Sequence, residues 1–174
     1  MPVVNTSTTE SVHQQENTDS FPVFSIVRLG THRSGESLRL ALAHKKTFIG
    51  RRADGILGRI TFAKLGTEAT VHLGTVSQLT GRDHAMNDEI NEAVLDLGFD
   101  LCPEEVALQV CLQETSRLNG KWINAAMKPI IDPWREKVFF RVGHENGRPC
   151  IHACERGLKE GTWDGSSLFM FVSR

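Results

Sequence analysis

Apolar positions recur along this chain with two periods, one helical and one of alternating residues, and the shift between them orders the expected elements. Residues 23–29 (VFSIVRL) read as a first strand, followed by the turn-like GTHRSG. Ser34 stands where an N-cap belongs, and Leu38 and Leu42 share one face of a helix running to Ala43. His44, Lys45 and Lys46 close it with the cations that the negative end of a helix dipole favours. A short helical turn is expected over 53–57, and residues 69–73 (ATVHL) alternate as a short strand. The clearest helical signal is at 85–97, where Ile90, Ala93, Val94 and Leu97 fall at i, i+3, i+4 and i+7. Gly98 is placed for the left-handed residue that ends this helix, with Phe99 folding back as the hydrophobic contact.

Beyond Pro103 the period changes. The EEV triplet suggests one helical turn, and strands are then expected at 108–113, 122–131, 137–143, 149–154 and 168–172. The Asn-Gly pair at 146–147 predicts a tight hairpin joining 137–143 to 149–154 as antiparallel neighbours. The predicted class is therefore α+β, with N-terminal helices packed on a mainly antiparallel C-terminal sheet.

Composition narrows the function classes. The 174 residues suffice for a single domain, expected over 21–174. Residues 1–20 carry Glu10, Glu16 and Asp19, no Lys or Arg, and few apolar groups, so they are expected to form a disordered tail. They lack the basic start and apolar stretch of a secretory signal. No apolar run approaches the roughly 18 residues of a membrane span. Cys102, Cys111, Cys150 and Cys154 are then expected as reduced thiols in a cytoplasmic protein. A net charge of −1 argues against general nucleic-acid or membrane-surface binding, which needs a basic face.

Several segments resemble a group of uncharacterised bacterial hypothetical proteins: LCPEEV at 101–106, the following LQVCLQ, KWINAAMKPIID at 121–132, VFFRVG, and the closing LFMFVSR. The likeness covers about 75 residues and departs at Ala107-Leu108, where the group's pattern has Gly-Pro. It implies a compact bacterial domain and assigns no catalytic residue.

Four constellations carry candidate chemistry. Gly30 and Gly35 have the spacing of a phosphate-binding loop, but Glu36 stands where that loop needs Lys. A small anion remains a possible ligand there, held by backbone N–H groups with His32 and Arg33. Cys150, His152 and Cys154 alternate on one strand face and are the candidate metal ligands. Same-face neighbours on a strand start roughly 7 Å apart, too far for ready convergence on one ion, so the expectation is no metal and no cofactor. Cys102, at a helix start, is a candidate nucleophile with His72, His144 or His152 as its base, although Glu104 and Glu105 beside it oppose a thiolate. Lys45, Lys46, Arg51, Arg52, Arg59 and Lys64 form a basic cluster suited to solvation or to an acidic partner. By elimination the sequence points to a non-catalytic binding or interaction protein, with a protein as the possible partner. The alternative is a Cys–His hydrolase centred on Cys102.

Overall fold

The computed structural model describes residues 20–118 and 120–174. The expected tail over 1–20 lies outside the described residues except for Ser20. The order of elements is β1 (Val23–Leu29), α1 (Gly35–His44), β2 (Phe48–Ile49), α2 (Arg51–Ile56), β3 (Thr67–Thr75), α3 (Val76–Thr80), β4 (His84–Ala85) and α4 (Asn87–Asp96). There follow α5 (Val106–Gln113), β5 (Ile123–Ala125), β6 (Ile130–Ile131), β7 (Lys137–Glu145), β8 (Arg148–Cys154), β9 (Trp163–Asp164) and β10 (Leu168–Val172). Short 3-10 turns at Leu57–Arg59 and Thr115–Leu118 extend α2 and α5.

The class is α+β, but its layout differs from the expectation. One sheet runs β1–β3–β10–β5–β7–β8–β2, with β6 beside β7, so strands from both halves of the chain share it. It is mixed: β10 is parallel to β5 and β2 is parallel to β8, while the other pairs are antiparallel. The helices are scattered along the chain rather than gathered before the sheet. Among the described residues no helix is long and apolar enough to cross a membrane.

Segment 108–113 is the instructive correction. It is the body of helix α5, with Val106, Leu108, Val110 and Cys111 all buried, and α5 contacts β1, β7, β8 and α1. Only Gln109 and Gln113 interrupt the apolar run of this short helix, so the run reads as a strand as readily as a helix. Segment 122–131 divides into β5 and β6, both short.

Elsewhere local signals act as expected. The Ser34 hydroxyl accepts from Ser37 N–H at the start of α1, and Leu38 and Leu42 are fully buried. At the end of α4, Gly98 takes φ +86°, its N–H reaches the Leu95 carbonyl, and the N–H of Phe99 reaches that of Val94. That pair of bonds satisfies the last carbonyls, and Phe99 is buried against the helix it ends. Ile90 and Val94 are buried, while Ala93 and Leu97 are half-buried, and α4 lies against α3. Asn146 and Gly147 both take positive φ and close the β7–β8 hairpin on the pair Glu145–Arg148.

Candidate functional site

Along the outer edge of β1 the chain builds a row of paired polar side chains. β1 is an edge strand, so every second residue turns its backbone groups away from β3. Glu105, Gln109, Gln113 and Arg117 follow one another at four-residue spacing along α5 and its 3-10 extension and supply the missing partners. The Glu105 carboxylate accepts from the N–H of Gly30 at 2.9 Å and of Ala63 at 3.1 Å. Gln113 donates to the Arg28 carbonyl at 2.8 Å and accepts from the Arg28 N–H at 3.0 Å, as a neighbouring strand would. Arg117 donates to the Phe24 carbonyl and lies over the Phe24 ring. Gln109 joins the row, donating to Thr31 Oγ1 and to Glu105, both at 2.8 Å, and accepting from Gln113.

Above this row lies an open groove of about 630 Å³. The end of β1 and its following turn supply Arg28, Thr31 and His32 to its wall. Helix α1 gives Leu40, Ala41, His44 and Lys45, and α5 gives Gln109, Leu112 and Gln113. Leu40 is 63% exposed, an uncovered apolar side chain at the centre of a helix face. Among the described lining residues four are basic or imidazole groups and none is a carboxylate. Lys45 sits at the carbonyl end of α1, and its full charge outweighs the partial negative charge there. Glu68, outside the lining, approaches Arg28 to 3.9 Å, but both side chains are largely exposed and such a pair holds the guanidinium weakly.

The sequence candidates fall in separate places. His32 lines the groove and pairs with Thr31, whereas Arg33 is exposed outside it. Gly35 is packed so closely on the Leu57 carbonyl that a Cβ would collide with it, and Glu36 is ion-paired to Arg39. Gly35 thus lets α1 pack closely on the Leu57–Arg59 turn. Of the basic cluster only Lys45 reaches the groove. Arg52 pairs with Asp132 and Glu155, Arg51 lies over Trp134, and Arg59 donates to the Ile131 carbonyl, so these three tie α2 and its extension to the 131–136 segment and to Glu155.

Cys102 is buried, its thiol directed at the Met170 carbonyl, and burial pushes the thiol well above its ordinary range. A nucleophile needs the reverse, a thiol readily ionised beside a base. His72 is fully buried between the Phe21 carbonyl and Ser173 Oγ, at 2.6 and 2.8 Å, and stacks on Phe171, so it serves the core. His144 is half-buried with Nδ1 lacking a hydrogen-bond partner. Cys150 and His152 do come together, but with Glu145 rather than Cys154.

The residues that sequence reasoning passed over are Leu40, Gln109, Gln113 and Glu145. A signal existed for two of them: Glu, Gln, Gln and Arg at four-residue intervals from 105 to 117 is a helical period inside a stretch read as strand. No family model matches this chain, and no curated protein or solved structure gives a significant match.

Proposed function

We propose that the protein is a non-catalytic interaction module whose groove between α1, α5 and the end of β1 receives an acidic segment of a partner protein. One observation carries this reading: the groove is lined by apolar Leu40, Ala41 and Leu112 together with Arg28, His32, His44 and Lys45, and by no carboxylate. Acidic side chains of a bound segment would meet these basic groups while an apolar side chain covers Leu40. The amides of Gln109 and Gln113 are already engaged with the protein's own groups, so recognition rests on charge and apolar contact. Electrostatic complementarity of this kind gives specificity and rapid encounter more than high affinity.

The Cys–His hydrolase alternative loses support from the burial of Cys102 and from its bond to Met170. The test is fluorescence anisotropy with two labelled peptides of equal length, one alternating Glu with Leu and the other Lys with Leu. The acidic peptide should bind, weaken as salt is raised, and be lost on Arg28→Glu combined with Lys45→Glu. Equal binding of both peptides, or indifference to the charge reversal, would reject the proposal.

A further inference from the structure

The far end of the sheet holds polar groups of a different kind. β8 places Cys150 and His152 on one face, and β7 brings Glu145 to the same face at the hairpin end. The Glu145, Cys150 and His152 ligand atoms all lie within 4.8 Å of one another, and Glu145 Oε2 is 3.5 Å from His152 Nε2. With bonds of roughly 2.0–2.3 Å, the edge of a tetrahedral zinc site is about 3.3–3.6 Å, so the oxygen–nitrogen pair already has this separation. The strand spacing that argues against Cys150 and His152 as joint ligands is overcome by the length of the imidazole, which brings a ring nitrogen within 4.8 Å of the thiol.

His152 Nε2 is shut off from solvent and has no hydrogen-bond partner, a condition that asks for an explanation in a folded protein. The ring is held in place. Phe48 and Trp122 lie 5.6 Å from it, and Gly50 approaches so closely that a Cβ there would stand 2.8 Å from Nδ1. Trp122 itself rests on Gly143, the residue opposite Cys150. Burial decreases outward: Cys150 is fully buried, the His152 side chain is 34% exposed and that of Glu145 is 52% exposed.

From this arrangement we infer that Glu145, Cys150 and His152 form a zinc site, with three protein ligands and a fourth position open to solvent water. Thiolate, imidazole and carboxylate together suit Zn²⁺ rather than the hard cations that take oxygen alone. On binding, the Cys150 thiol releases its proton to water, and thiolate and carboxylate neutralise the ion. This site is independent of the groove, which lies along α1 and α5.

The experiment uses full-length protein made without a metal-binding tag and titrated with Co²⁺ as a spectroscopic stand-in for Zn²⁺. One equivalent should bind with a thiolate-to-cobalt charge-transfer band and the intense visible bands of tetrahedral cobalt, and Zn²⁺ should displace it. Cys150→Ser should abolish the charge-transfer band, and Cys154→Ser should leave it unchanged. Should Cys150→Ser fail to fold, His152→Gln serves as the second variant, read by competition with a chromophoric chelator. It should weaken zinc binding by more than about a hundredfold, the upper end of what losing an outer-shell partner costs. Absence of a thiolate band with cobalt in excess would overturn the inference. So would a band that survives Cys150→Ser or disappears with Cys154→Ser, or zinc affinity unaltered by His152→Gln.

Discussion

The two ends of the sheet differ in how many buried polar side-chain atoms go unpaired: on β1 Ser25 Oγ alone lacks a hydrogen-bond partner, whereas toward β7 and β8 there are several. At β1, side chains from α5 and its extension take up the outward backbone groups of Phe24, Arg28 and Gly30, and these side chains also bond one another. Toward β7 and β8, Arg141 Nε, His144 Nδ1 and His152 Nε2 are buried without hydrogen-bond partners, and so is Asn124 Oδ1 on neighbouring β5. Burial also lowers the Arg141 guanidinium pKa; that group lies over Trp122 at 4.3 Å rather than against a carboxylate. Buried polar groups that are fully paired contribute stability and a single conformation, whereas unpaired ones cost stability unless something else occupies them. The β1 end is thus the structural half of the molecule, and the groove beside it depends on charges outside the hydrogen-bonded row. The β7–β8 end holds groups in reserve.

The largest expected effect breaks the paired end. Glu105→Ala removes the acceptor for the N–H groups of Gly30 and Ala63 and for the Gln109 amide, within a buried site. Each buried donor left unpaired costs about 1–3 kcal/mol, so urea unfolding should show a loss of about 3–5 kcal/mol. A loss below about 1 kcal/mol would mean that water replaces the carboxylate and that the β1 edge is not held by this row.

A second measurement probes the apolar layer between the two ends. Burial pushes the Cys111 thiol up to about 12 and that of Cys102 higher still. In the unfolded chain a thiol ionises near pH 8.5. Above that pH the folded state therefore holds protons that the unfolded state has lost, and stability falls as pH rises. The slope is about 1.4 kcal/mol per pH unit for each such thiol. The chain contains no Tyr, so no phenol contributes between pH about 9 and 10.5. Stability measured across this range should fall less steeply in Cys111→Ala than in the parent, whatever the substitution costs at neutral pH. Parallel slopes would show that the thiol proton is not held by burial.

How far the sequence revealed this molecule follows the same division. Elements fixed by local signals were legible: β1 and β10 at their full lengths, the Ser34 cap, the Gly98 terminus and the Asn146-Gly147 turn. Those fixed by tertiary burial were not. The apolar run of α5 masked the four-residue spacing of its Gln side chains, and β2, β4 and β9, each two residues long, exist only through their partners. The groove was half visible. His32 and Lys45 stood out by residue type, but their meeting with Leu40 and α5 depends on how three distant segments pack. At the other end the alternation of Cys150 and His152 was readable, whereas the reach of Glu145 across the hairpin was not.

The smallest expected effect is on the unpaired end, and its smallness is what makes it informative. In metal-free protein His152 Nε2 has no hydrogen bond to lose, and its contact with Glu145 at 3.5 Å involves a half-exposed carboxylate. Partly exposed ion pairs contribute between nothing and about 1 kcal/mol. Replacing a buried polar group that lacks a partner by an apolar one of similar size removes a desolvation cost, which offsets the lost contact. His152→Leu should also keep the packing on Phe48 and Trp122, since Leu fills most of the space of the ring. Its unfolding free energy in the presence of a chelator should lie within about 0.5 kcal/mol of the parent, or above it. Glu105→Ala measured alongside supplies the contrast, because there the groups left behind are buried donors with no one to accept from them. A loss above about 1.5 kcal/mol for His152→Leu would show that His152 is a structural residue. The two ends of the sheet would then not differ in kind.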